Sequence, residues 1–402
     1  MISVQDARCR IMTPLRRLGA ELVSLREAAD RILAVDIAAR ITHPQAAVSA
    51  MDGYAVRVVD IAHRPVTLAV VAQSAAGHPA GRGIGPGEAV RIFTGAVIPA
   101  GADCILLQED VETGPEKNII VQKQTTTGSH IRPAGSDFKA GDVLLRAGRC
   151  LSFRDIALAA AMNVPWFPVV RRPRVAILST GEEIRLPGES IGPGELIDSN
   201  GFGISVLIAS HGGVAENLGM ASDNRDSLLS LVEAARGADL LVITGGVSVG
   251  EYDLVREVLS EAGMILDFWK VAVRPGKPLM SGHLAGMPVL GLPGNPVSAL
   301  VSAILFVLPA LNTLLGLPVQ TGAERQSGVL TCNLPANDSR EDYLRAICVR
   351  TDDHVLHVTP FAQQDSAMQA ILAKANCLAI RPQYASSARR GDSIDIIILE
   401  SL

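Results

Sequence analysis

The residues equipped for chemistry in this 402-residue chain are acids, cations and small-residue loops. Residues 239–253 read DLLVITGGVSVGEYD. The apolar run 240–243 has the texture of a strand buried on both faces. Thr244, Gly245 and Gly246 end it, Ser248 and Gly250 form a second small-residue loop, and the run 254–259 reads as an amphipathic helix. Strand, glycine loop and helix together aim backbone N–H groups and a helix N-terminus at an anion. Glu251 and Asp253 stand at the same end. Carboxylates repel a phosphate unless a cation lies between them, so the stretch points to phosphate with Mg²⁺. No G-K-[ST] follows, so this is not a Walker loop. The plainer alternative is a tight strand-to-helix connection with ordinary helix-starting acids.

Other loops carry similar chemistry. Thr180, Gly181, Glu182 and Glu183 follow the buried-type run 175–178. Lys270, Arg274 and Lys277 bring three cations within eight residues, after an expected strand over 264–273. In an extended segment Lys270 and Arg274 share a face, because side chains alternate with period two. Pro275 and Gly276 then turn the chain and can aim Lys277 at the same place. Pro293, Gly294, Asn295 and Ser298 form a rigid turn with neutral hydrogen-bonding groups. Asp52 and Asp137 lie in glycine turns, where spacing alone reads them as turn acids.

Composition bounds the rest. A length of 402 residues implies about two to four domains. Hydrophobic residues make up 48% and charged residues 19%, which fits a globular chain rather than a disordered one. The net charge of −5, with no basic block, argues against nucleic acid. Six scattered cysteines without C-x-x-C exclude a zinc ribbon or disulfide framework and fit reduced thiols in a cytoplasmic protein. No H-E-x-x-H occurs. Residues 1–17 are too polar for a secretory signal. The long apolar stretch 297–319 is expected to be a buried helix broken near Pro309 rather than a membrane span.

The elements that must position these residues follow in order. Residues 1 to about 44 look helical, with Ser3 and Asp6 as a capping box and a second short helix over 25–33. From 46 to about 147, short β-branched runs between glycines and prolines read as a β domain. Helix returns over 148–170, with Ser152 as N-cap of 155–162. From Arg174 strands alternate with helices, including a helix over 202–209 and another capped by Asp223, which implies a parallel sheet binding ligands beyond its strand C-termini. Residues 320–402 read as β-rich, with strands over 342–346 and 393–399.

In order along the chain stand SAMDGYAVR at 49–57, FTGAVIPAGAD at 93–103, IRPAGSD at 131–137, LSTGEEI at 178–184 and IDSN at 197–200. ITGGVSVGEYD at 243–253, WKVAVRPGKP at 269–278 and GLPGNPVSA at 291–299 complete the core, supported by DYLRA at 342–346 and QQDSAMQAILAKAN at 363–376. With these motifs the chain resembles the MoeA family, the molybdopterin molybdenumtransferases related to the gephyrin E domain. The resemblance implies an α/β and β multidomain fold. A helical elongated part (1–45 plus 148–172) carries an inserted β domain (46–147). A doubly wound parallel-sheet molybdopterin-binding domain (173–319) follows, and a small C-terminal β-barrel (320–402) ends the chain.

The implied reaction inserts molybdate into adenylylated molybdopterin with release of AMP and needs Mg²⁺. It implies a cytoplasmic homodimer whose site lies between the α/β domain of one subunit and the β insertion of the other. A molybdopterin adenylyltransferase and molybdoenzymes are the expected partners, with no nucleic acid and no membrane. The catalytic set carried over is Asp52, Asp137, Glu183, Asp253, Lys270 and Lys277, with Glu183 and Asp253 as metal ligands. Thr94, Arg132, Thr180, Gly181, Asp198, Asn200, the Thr244 loop, Ser248, Gly250, Arg274, Pro293, Gly294, Asn295 and Ser298 are the expected substrate contacts. Lys270, Arg274 and Lys277 supply the fixed positive charge that several anions brought together require. Competing readings are a non-catalytic scaffold of the gephyrin kind, the related adenylyltransferase step, and a tungstate-inserting relative.

Overall fold

The computed structural model describes residues 1–222, 224–246, 254–321, 323–352 and 354–399. The chain divides into two compact units, one formed by Met1–Glu21 and Val170–Leu402, the other by Leu22–Val169.

The first unit holds an α/β domain and a barrel. Leu240–Thr244 is a strand with all five residues buried. It lies inside a six-stranded sheet of order Val214–Ala221, Arg174–Thr180, Leu240–Thr244, Met287–Leu292, Met280–Leu284, Ile265–Trp269. The first four strands run parallel. Met280–Leu284 is antiparallel to both its neighbours. Two reversals restore direction, so Trp269 ends at the same carboxyl edge as Thr180, Thr244 and Leu292. Ala176, Leu178, Leu241 and Ile243 meet Leu228 and Val232 of helix Arg225–Ala234 and Val255, Val258 and Leu259 of helix Leu254–Glu261. Alternation sends Val175, Ile177, Leu240 and Val242, also buried, to the opposite face. Helix Asn200–Ser210 packs against the strands Arg174–Thr180 and Val214–Ala221. The sheet is therefore doubly wound, which explains its strands' continuous apolar texture.

The stretch Pro296–Leu315 is a core helix, buried along most of its length. It is not broken at Pro309, as expected from sequence. Residues Ala303–Val307 form a π-turn, and Pro309 falls in the first turn of the segment Leu308–Leu315 that follows. The π-turn shifts the hydrogen-bond register just where the proline has no N–H to give.

Beyond it, strands Glu341–Arg350, Leu356–Pro360, Arg325–Leu330, Ser393–Ile398 and Cys377–Arg381 pair in turn. The last pairs back with the first, closing a five-stranded barrel. Leu330, Ala346, Val358, Ala379 and Ile396 fill its core.

The second unit is built on a six-stranded sheet of order Cys104–Leu107, Gly53–Val56, Glu88–Ile92, Val66–Ser74, Ile119–Val121, Val111–Thr113. Its other lobe gathers Leu33, Ile37, Phe138, Leu145, Leu151, Met162 and Phe167 around helix Phe153–Ala161. Ser152 and Asp155 form a reciprocal capping box at that helix. Within the parts expected to be helical, helix is confined to Val4–Met12 and Phe153–Ala161, and residues 166–170 are a strand. The expected helix over 25–33 is absent. Ser24 is tied to Glu27 in a turn. Asp30 and Leu33 donate to Leu151 and Arg149, 2.9 Å each, so long-range pairing takes the donors a helix would use.

Candidate active site

The carboxyl edge of the parallel sheet is walled by backbone. A Cβ on Gly245, where φ is +85°, would lie 2.4 Å from the Thr180 carbonyl oxygen. One on Gly246 would lie 2.4 Å from Val255 and 2.7 Å from the Thr180 hydroxyl. A Cβ on Gly294 would lie 3.5 Å from the Cα of Gly245, in ordinary contact. Gly181, at φ +136°, lies under the Glu183 carboxylate, which its Cβ would strike. Close approach dictates Gly245 and Gly246, a positive φ favours glycine at 181, and the loops lie beside one another with their N–H groups uncovered by side chains.

A buried polar chain supports them. Thr244 Oγ1 donates to Ser179 Oγ at 3.1 Å, and Ser179 Oγ donates to Asp198 at 3.0 Å. Asp198 also accepts the Gly201 N–H at the start of helix Asn200–Ser210. Asn200 donates to the Gly294 carbonyl at 2.8 Å. Asn295 donates to Ser366 Oγ at 3.0 Å, tying the Pro293–Asn295 turn to the loop 364–366. Pro293 and Ser298 are buried behind that turn. The expected residues Asp253, Ser248 and Gly250 lie outside the described residues, as do Glu251 and the proposed cap Asp223. Helix Arg225–Ala234 is capped by Asn224, whose side chain accepts the Ser227 N–H.

The cations are arranged differently from the sequence expectation. The strand stops at Trp269 and resumes as Val273–Arg274. Lys270 has φ +80°, so period two is lost and Lys270 and Arg274 need not share a face. Arg274 is held at the barrel by Asp342 and Asp338, which push its pKa above the usual value. Lys270 folds onto Trp269, its ammonium 3.9 Å from the ring centroid. For Lys277 no ion pair is found among the described residues.

Sequence reasoning missed Arg345. It is 1% exposed, and its Nε has no partner among the described residues. Its Nη2 donates to the Asp365 carbonyl, next to Ser366. Burial pulls its pKa below the usual value. A guanidinium stays charged in a protein, so a buried one with a spare N–H is a place for an oxyanion. No local signal marks it, because its burial depends on the barrel closing and on the loop 364–366 that covers it.

In the second unit three motif loops converge. Ile131–Arg132 pairs antiparallel with Val48–Ser49. Ser49 exchanges backbone bonds with Gly95 and Ala96 at 2.8 and 2.9 Å. Asp52 accepts both the Thr94 N–H and the Thr94 hydroxyl at 2.7 Å. The backbone bond, then the hydroxyl, hold its pKa below the usual carboxylate value. Arg91, also missed from sequence, donates to the Gly53 carbonyl and lies over Tyr54 and Phe93. Arg132 and Asp137 are exposed on the neighbouring turn.

Among the described residues no group of three or more His, Cys, Asp or Glu side chains gathers to hold a metal. Mg²⁺ commonly takes one or two carboxylates and completes its shell with phosphate oxygens and water. Glu183, an exposed carboxylate over the Gly181 turn, fits that sparse demand.

A doubly wound domain with a glycine-walled carboxyl edge belongs to the class of α/β proteins that bind ligands beyond their strand C-termini. Residues 2–163 match the MoeA N-terminal region (domain I and II), 176–313 a probable molybdopterin binding domain, and 327–399 the MoeA C-terminal region (domain IV). The molybdopterin molybdenumtransferase of Haemophilus influenzae is 34% identical over 98% of both chains. That of Nostoc is 38% identical over 79% of this chain and 75% of its own. The crystal structure of the molybdopterin biosynthesis MoeA protein from Pyrococcus horikoshii superposes with a TM-score of 0.88 at 30% identity, covering 100% of both. The chain belongs to the MoeA family of molybdopterin molybdenumtransferases.

Proposed function

We propose that this enzyme of molybdenum cofactor biosynthesis inserts molybdate into adenylylated molybdopterin, releases AMP, depends on Mg²⁺ and works as a cytoplasmic homodimer. A molybdopterin adenylyltransferase would supply its substrate, and molybdoenzymes would receive its product. The observation that carries the reading is the backbone wall at the sheet edge, where Thr180, Gly245 and Gly294 approach one another without side chains between them. Such a wall accepts a phosphate-bearing planar ligand through N–H groups.

The chain's own residues divide the work. Lys270, Lys277 and Arg345 supply positive charge for molybdate and the substrate phosphates. Glu183, with Asp253, would hold the metal, which when bound neutralises charge on the phosphates. Asp198 acts through Ser179 and Gly201 to keep the strand end and helix start in register. Asp52 and Asp137 offer further hard oxygen atoms. No protein thiol is needed, because the cofactor brings its own sulfur ligands, and none of the six cysteines lies on these loops.

The test is to incubate the purified protein with adenylylated molybdopterin, Mg²⁺ and molybdate and to measure AMP. Molybdate-dependent release is expected. Binding without release would replace the transferase reading with that of a carrier, and tungstate in place of molybdate sets metal choice. Lys277→Ala is expected to raise the molybdate concentration for half-maximal rate by about tenfold, the loss of one charge-assisted contact. An unchanged molybdate dependence would remove Lys277 from the anion site.

A further inference from the structure

Trp269 is the last residue of strand Ile265–Trp269, at the carboxyl edge of the sheet. Two cations lie over its ring. The Lys270 ammonium is 3.9 Å from the centroid and the Arg256 guanidinium carbon 4.7 Å. They come from separate elements. Arg256 is in the first turn of helix Leu254–Glu261, which follows the strand carrying Gly245 and Gly246 at its end. Lys270 begins the loop that leads to Lys277.

Lys270 takes this place in a left-handed conformation that residues with a Cβ rarely adopt. Its N–H is fixed to the Leu279 carbonyl at 3.0 Å, so the turn is anchored. The indole is half-buried and packed against the domain core, so the ring cannot swing to follow its cations. Its Nε1 is buried and has no acceptor among the described residues. For Lys270 no ion pair is found among the described residues, so the ring quadrupole offsets only part of its charge and an anion offsets far more.

We propose that Trp269 is a positioning residue whose ring holds Lys270 and Arg256 as one cationic wall for the pyrophosphate group of the substrate, a role that rests on the transferase reading above. Trp269 acts through the two cations and touches no reacting atom.

The chain has two tryptophans, and Trp166 lies in the other unit, so Trp166→Phe leaves Trp269 as the sole reporter. The probe is inorganic pyrophosphate, titrated against Trp269 emission and, independently, by calorimetry. A saturable emission change is expected, and Lys270→Met should abolish it. By calorimetry Trp269→Leu should weaken binding about tenfold, and Trp269→Phe, which keeps a ring face, should recover at least part of the loss. In a Lys270→Met, Arg256→Met background, Trp269→Leu should add less than about twofold, because no cation is left to position.

Pyrophosphate affinity within about twofold of the parent in Trp269→Leu would overturn the proposal. So would a full tenfold cost of that substitution in the double-Met background. If Trp269→Leu fails to fold, the emission arm decides, since an unchanged response in Lys270→Met overturns the proposal equally. Failure of the transferase reading is separable. Trp269-dependent pyrophosphate binding without molybdate-dependent AMP release would leave the wall and discard the reaction. The converse would keep the reaction and discard the wall.

Discussion

Asp52→Ala is expected to reduce molybdate-dependent AMP release by at least about a thousandfold while the protein stays folded. A lost catalytic carboxylate routinely costs that much in rate. Folding is spared because the carboxyl group is partly open to solvent and is bonded mainly to the short turn at Thr94. Near wild-type release by this variant would remove Asp52 from the reaction. Its environment also predicts a pH dependence. The Thr94 N–H and hydroxyl depress the folded-state pKa of Asp52. A depressed carboxylate contributes stability at pH values above its unfolded pKa, about 4, and that contribution is lost as pH falls through the folded value. The acidic limb set by Asp52 should therefore lie below pH 4. Thr94→Val removes the hydroxyl bond and keeps the backbone one, so it should move that limb upward by a fraction of its full range. A limb unmoved by Thr94→Val would show that another group sets it.

How far the sequence reaches can be argued from particular residues. Buried runs such as Leu240–Thr244 and Arg174–Thr180 announce a parallel sheet because both faces are covered. The N-cap at Ser152 is local chemistry and is legible for that reason, though the reciprocal bond to Asp155 appears only in the structure. Motif order identified the family, yet it said little about geometry. The left-handed Lys270 has no local signal, since its turn is fixed by Leu279 from across the loop. Residues 25–33 fail as a helix because partners more than 100 residues away, Arg149 and Leu151, take their donors. Arg345 reads as a solvent-facing charge until the barrel closes and the loop 364–366 covers it. The misses share a cause. Each depends on a contact outside its own element, where pattern and propensity are silent.

Gly53→Ala should be the most damaging small substitution in the second unit, and for a reason unlike the one its sequence context suggests. In Asp52-Gly53 the glycine reads as a turn residue. In the structure it is the first residue of strand Gly53–Val56, between Cys104–Leu107 and Glu88–Ile92. Its φ is not in the left-handed region, so conformation does not require glycine. Space does, because an added Cβ would lie 1.8 Å from the Leu106 carbonyl oxygen. That oxygen belongs to backbone in a paired strand and cannot rotate aside. The two strands must separate, which breaks ladder bonds and opens the core around Ala55, Val90 and Ile105. Overpacking of this kind costs about 3 kcal/mol, with further loss from broken backbone bonds. In a unit of this size a fall in melting temperature of about 10 °C follows. Gly85→Ala is the control. Its Cβ would meet nothing closer than the Glu88 carboxylate at 3.6 Å, and its φ is also unstrained. It should melt within about 1 °C of the parent, since fewer unfolded conformations roughly offset any strain. The clash should also silence the reaction, because the same movement carries Asp52, whose carbonyl accepts the Gln108 N–H beside that strand, away from Thr94. A Gly53→Ala protein that melts like the Gly85→Ala control would mean that the strands can part at this position without cost, and that the glycine is there for the turn after all.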